Sequence, residues 1–140
     1  MDPITAAGLA GTVVNLVEFA GTIIINLYRY YLDVKTSRES VAGLREEIGQ
    51  SLSLLGGLHD RLEVSDAFHG TPVLEDALAS LSRALTEVDD RIKPEIATGL
   101  GKWKWPFLKH ETEKLIQKLG RYNATFQLVL NIEQTYMSKI

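Results

Sequence analysis

The sequence predicts an all-α protein, a four-helix bundle whose N-terminal helix is long and apolar. Two observations carry this. Apolar residues recur at steps of three and four along four separate stretches, and no stretch alternates with the period of two that marks a half-buried strand. Four such stripes joined by modest connections are the pattern of helices packed around one core. Residues 1–140 are expected to form a single domain, since a chain of this size closes one core and buries about two-thirds of its unfolded surface.

The first helix is expected from Pro3 to about Leu32. Asp2 suits an N-cap and Pro3 the first turn. From Pro3 to Tyr28 the only formally charged side chain is Glu18. Twenty-six residues at about 1.5 Å each could cross a hydrocarbon core of about 30 Å. Asn15, Glu18, Asn26 and several glycines make the stretch too polar for a permanent anchor, and its acidic opening is unlike a secretory signal. On a helical wheel Thr12, Asn15, Glu18, Thr22, Asn26, Arg29 and Asp33 form one polar stripe, interrupted by Phe19. Leu9, Val13, Leu16, Val17, Ala20, Ile23, Ile24 and Leu27 lie opposite. Two readings follow: a core helix with a narrow solvent face, or a helix that lines an aqueous pore.

Val41, Leu44, Ile48, Leu52, Leu55 and Leu62 mark a second helix from Ser37 or Ser40 to Glu63, with a bend expected at Gly49 and Gly56-Gly57. Leu74, Leu78, Leu81, Leu85, Val88 and Ile92 step by four and three and give a third from about Thr71 to Lys93. Thr71, Pro72, Glu75 and Asp76 supply its start signals. Leu115, Leu119, Tyr122, Phe126, Val129 and Tyr136 define a fourth, from near Lys109 almost to the C-terminus.

Composition excludes several classes of function. With no cysteine there is no disulfide scaffold, no thiol nucleophile and no thiolate metal site. The net charge of −3 hides an asymmetry. Seven cations from Lys102 to Lys139 face only Glu111, Glu113 and Glu133, which gives that tail +4 and leaves −7 for the residues before it. No general basic balance suggests nucleic-acid binding. Neither an enzyme nor a cofactor is expected. His59 and Glu63, one turn apart and followed by Asp66 and His69, lack the convergence a metal site needs, so no metal is expected either. Glu46-Glu47 and Asp89-Asp90 read as solvated helix faces, and Gly99 to Gly101 lacks the rest of a phosphate loop. Asn123-Ala124-Thr125 matches a glycosylation sequon but falls within a helix.

Lys102-Trp103-Lys104-Trp105-Pro106-Phe107-Leu108-Lys109 is a compact amphipathic tract. Indoles favour the membrane interface and lysines attract anionic headgroups. The same tract equally suits a cap on the end of the bundle, with tryptophans inward and lysines in water.

Met1-Asp2-Pro3-Ile4-Thr5-Ala6-Ala7-Gly8-Leu9-Ala10-Gly11, the uncharged first helix, and Lys104-Trp105-Pro106-Phe107 followed by Glu111-Thr112-Glu113-Lys114-Leu115-Ile116-Gln117-Lys118-Leu119-Gly120-Arg121-Tyr122-Asn123 together resemble the HeLo-like N-terminal domain of fungal STAND (NOD-like receptor) proteins. The resemblance spans essentially the whole chain. Between Thr36 and Lys93 it is one of helix pattern only, and the glycines of the second helix depart from it.

The resemblance implies a cell-death execution domain of fungal innate immunity and heterokaryon incompatibility, similar to the bundle of the mixed lineage kinase domain-like pseudokinase. Its partners would be a C-terminal nucleotide-binding or amyloid-motif module, a homo-oligomer formed on activation, and an anionic membrane, with no nucleic acid. It would be cytoplasmic at rest and act at the plasma membrane. The first helix would insert through Pro3, Ile4, Leu9, Val13, Leu16, Val17, Ile23, Ile24 and Leu27, with Asn15, Glu18, Thr22 and Asn26 facing a shared aqueous centre and Lys102, Trp103, Lys104 and Trp105 touching the membrane surface. At rest, the apolar face of the first helix is expected to be covered by the other three. Gly8, Gly11 and Gly21 would serve close contact either in the oligomer or inside the bundle. A soluble adaptor or self-association module is the alternative.

Overall fold

Leucine- and isoleucine-rich stripes at helical spacing become four helices in the computed structural model, which describes residues 6–33, 38–64, 71–92 and 107–138. They are α1 (Ala6–Asp33), α2 (Arg38–Val64), α3 (Thr71–Ile92) and α4 (Lys109–Ser138), and no strand occurs among the described residues. The protein is an all-α four-helix bundle with a long apolar first helix. Helix ends fall within a residue or so of those expected for α2, α3 and the start of α4. Pro3 and Ile4, at the expected start of the first helix, lie outside the described residues, as does the tract from Lys102 to Trp105.

Each helix has two neighbours: α1 and α4 each pack on α2 and α3. α1 and α4 therefore sit across the diagonal of the bundle. The inward residues of α1, Leu9, Val13, Leu16, Ala20, Ile23, Leu27 and Tyr30, are buried in one core cluster with residues of the other three helices. All six residues of the α3 seam are buried, joined by Ala77 and Ala84.

The expected weak points of α2 do not break it; it is one continuous helix through Gly49, Gly56 and Gly57. Two glycines of α2 admit side chains from α4. A Cβ at Gly43 would stand 3.1 Å from Ile116 Cδ1, and one at Gly57 would stand 3.5 Å from Leu130 Cδ1. These contacts set α2 and α4 parallel. Gly49 faces open space, with nothing within 4 Å of where a Cβ would go. Gly49→Ala should therefore stabilise the fold by about 0.5–1 kcal/mol, the ordinary helix penalty of glycine. Urea denaturation checks this, and a loss of stability would contradict the open position.

Arg91, at the end of α3, fixes where α4 begins. Its guanidinium reaches Glu111 Oε2 at 3.0 Å and Oε1 at 3.5 Å, and lies 4.3 Å from the centre of the Phe107 ring. Phe107 is buried, so the aromatic end of the Trp-Pro-Phe segment belongs to the core. Glu111 also accepts the Leu108 N–H at 2.8 Å, as the third helical residue does in a capping box. The hydrogen bond from Arg91 and then that from Leu108 hold the Glu111 carboxyl below the usual carboxylate range. This junction sets α3 antiparallel to α4. With Arg91 beside Glu111, the first residue of α3 falls opposite the region of Asn131, so Tyr136 runs past α3. It is 48% exposed, not a seam residue as expected from its spacing.

Candidate functional site

The chemistry-bearing surface is α1, which has three distinct sides. The core side carries the buried residues above, with Val17 and Ile24 half-buried at its margin. All the described residues expected to insert therefore lie on covered or partly covered positions.

The polar stripe faces outward, with Asn15, Glu18 and Thr22 exposed and Asn26 half-buried. Thr12 Oγ1 donates to the Gly8 carbonyl and Thr22 Oγ1 to the Glu18 carbonyl, each at 3.1 Å. Both hydroxyls thus bond back to the carbonyl one turn earlier in their own helix. Thr12 and Asn15 also border an open groove of about 340 Å³ between α1 and α3, floored by Leu9, Leu16 and Leu78 and rimmed by Glu75 and Ser82.

The third side was not anticipated. Val14, Ile25, Tyr28 and Leu32 are 38%, 58%, 45% and 54% exposed. Scattered exposed apolar residues are ordinary, but four on one face of one helix are not. Their signal was in the sequence: spaced by 11, 3 and 4, they fall on the side opposite Leu9 to Leu27. Gly11 and Gly21 lie on this outer side, and neither has any atom within 4 Å of where a Cβ would stand. Close packing inside the bundle therefore does not account for these two glycines.

The aromatic end of α1 is tied to α2 by cations over rings. Arg45 lies 4.8 Å from the centre of Tyr28 and Arg38 5.4 Å from that of Tyr31. The Arg45 Nε is buried without a hydrogen-bond partner. Burial raises the Tyr30 hydroxyl above its ordinary pKa.

A second cluster, also unforeseen, joins α2 to α4. Ser51 and Asn123 are buried at seam steps where leucine would be routine. Ser51 Oγ donates to Asn123 Oδ1 at 2.6 Å, and Asn123 Nδ2 donates to the Glu47 carbonyl at 3.1 Å and to Glu47 Oε2 at 3.0 Å. Glu47 is thus half-buried and bonded rather than a solvated face residue, which corrects the reading of the Glu46-Glu47 pair; Glu46 is exposed. Buried Asn123 is closed to glycosylation in the folded domain.

The weak metal cluster gains nothing. His59 Nε2 is 3.4 Å from Glu63 Oε1 and His59 Nδ1 is 3.8 Å from Asp60 Oδ1, all on one face of α2, while Asp66 and His69 lie outside the described residues. Three groups from a single exposed turn do not enclose an ion.

No family model, no curated protein and no solved structure matches this chain. None of these comparisons identifies a HeLo-like domain, and that resemblance rests on the quoted residues alone.

Proposed function

We propose that this bundle is a membrane-permeabilising execution module, activated when copies are brought together, with α1 as the inserting element. The observation that carries the reading is the apolarity of α1 outside the core. Gly8–Leu32 is 25 residues, about 37 Å of helix against a hydrocarbon thickness of about 30 Å. Of its most apolar window 28% is buried in the bundle, so the core takes up only part of the apolar surface of α1.

Clustering raises the local concentration of α1. Its core face then exchanges α2 and α3 for lipid, while Asn15, Glu18, Thr22 and Asn26 face a common aqueous centre. Glu18 decides the orientation. An acid at mid-bilayer costs about 2.5–3.5 kcal/mol unless it meets water or a cation. Lys102, Trp103, Lys104 and Trp105 supply first contact with anionic headgroups. In keeping with the HeLo-like resemblance, the biological setting is regulated cell death, with the protein cytoplasmic at rest and at the plasma membrane when active. The activating cluster would be assembled by a C-terminal nucleotide-binding or amyloid-motif module.

The test is dye release from vesicles containing anionic lipid, with the domain fused to an inducible oligomeriser. Leakage is expected only on clustering, and Glu18→Ala should slow release of a cationic dye more than that of an anionic one. Faster release from Glu18→Ala for both dyes would place Glu18 against lipid and reject the pore-lining stripe. Absence of leakage at any density, with the bundle folded, would leave a soluble helical adaptor, the reading that the open groove between α1 and α3 favours.

A further inference from the structure

The outer side of α1 forms a continuous seam. Val14, Glu18, Gly21, Ile25, Tyr28 and Leu32 step by 4, 3, 4, 3 and 4, the spacing of residues that meet a second helix. Of these, all but half-exposed Gly21 are exposed. Such a face needs an occupant, and three features select a second copy of this chain.

The seam is complementary to itself when reversed. In an isologous pair, residue i meets j and j meets i. An antiparallel alignment about the Ile23–Ile23 level sets Val14 against Leu32 of the second copy, Gly21 against Ile25, and Glu18 against Tyr28. Every seam residue meets another seam residue, and the large Ile25 enters the space left open at Gly21.

Charge chooses the direction. Glu18 and Arg29 are exposed and have no ion pair among the described residues. Antiparallel pairing brings each Glu18 to the Tyr28-Arg29 step of the other copy, where Arg45 also sits over the Tyr28 ring. A parallel pairing in register would set Glu18 against Glu18, two like charges on an apolar face. We infer that the resting protein forms an antiparallel homodimer through the outer side of α1, with Glu18 of each copy facing Arg29 of the other.

This assembly is distinct from an activated cluster. It needs no lipid, and it occupies Glu18 and the exposed apolar residues before activation. Its test is therefore run without membranes and stands or falls independently of the permeabilising activity.

Sedimentation equilibrium of the whole chain across micromolar concentrations should show a monomer–dimer equilibrium. Glu18→Arg or Arg29→Glu alone should weaken association by about 30-fold or more, the usual loss when a close interfacial charge pair is broken. The double exchange, Glu18→Arg with Arg29→Glu, should restore it. Helical circular dichroism reports that each variant is folded. The chain has no cysteine, so the register can be read directly. A mixture of Val14→Cys and Leu32→Cys chains should form a disulfide-linked dimer. Neither variant should do so alone, because like positions stand about 27 Å apart in the antiparallel pair. Cross-linking of either single variant with itself, a dimer that the mixture does not cross-link, a double exchange that stays dissociated, or a wild type that is monomeric up to about 100 µM would each overturn the proposal.

Discussion

Asn123→Ala is expected to lower the unfolding free energy by about 2–3 kcal/mol, a large share of the 5–15 kcal/mol that holds a typical domain together. The amide gives two hydrogen bonds to Glu47 and receives one from Ser51. Glu47 presents only acceptors at these contacts, so Nδ2 must face it and Oδ1 must face Ser51. Alanine removes all three bonds and leaves a cavity that the surroundings fill only in part. The Ser51 hydroxyl keeps only the Glu47 carbonyl, at 3.2 Å. Burial is what makes the loss large, since a polar group cut off from both partner and water bears its full desolvation cost. Urea unfolding of Asn123→Ala, Ser51→Ala and the double variant measures the coupling, expected at about 0.5–3 kcal/mol. A cost below about 0.5 kcal/mol for Asn123→Ala would mean that this contact does not join α2 to α4, since that is the scale of an ordinary surface change.

The same cluster shows where sequence reading stops. The number of helices, their extents and the α3 seam were legible because each depends on local periodicity that a single stretch of chain displays. Ser51 and Asn123 were not, because their meaning lies in each facing the other across 72 positions of sequence. Each taken alone is a polar residue on an apolar stripe. A pair of polar residues at seam steps of two helices is the available signal, but it identifies a contact only once the register of α2 and α4 is known. Gly43 and Gly57 are similar: read along α2 they weaken a helix, and read against Ile116 and Leu130 they are the sockets that set that register. For α1 the sequence disclosed the polar stripe and its opposite face. Which residues were left outside depended on which helices lie beside α1, and the backbones beside it are those of α2 and α3.

Opposite faces of α1 should answer substitution in opposite ways, and this contrast bears most directly on the proposed function. Ile23 is fully buried, and Ile23→Ala should cost about 2–4 kcal/mol of stability, from lost transfer free energy plus the cavity left behind. α1 leaves the bundle more readily when its contacts with α2 and α3 are weaker, so this variant should leak more at a given clustering level. Ile25 is mostly exposed, and in the dissociated monomer Ile25→Lys should alter folding stability by no more than about 0.5 kcal/mol. For a helix entering lipid before the shared aqueous centre forms, the same change replaces a residue favourable by about 0.3–0.6 kcal/mol with one costing about 2.5–3.5 kcal/mol near the centre of the helix. Insertion should then fall by at least about 100-fold, since each 1.4 kcal/mol is a factor of ten. Parallel thermal unfolding and clustered dye release on the two variants separate the effects. A core helix that never leaves the bundle predicts that Ile23→Ala lowers stability and that neither variant changes leakage. An inserting helix predicts more leakage from the destabilised bundle and almost none from the stable one, an inversion that general loss of folding cannot produce.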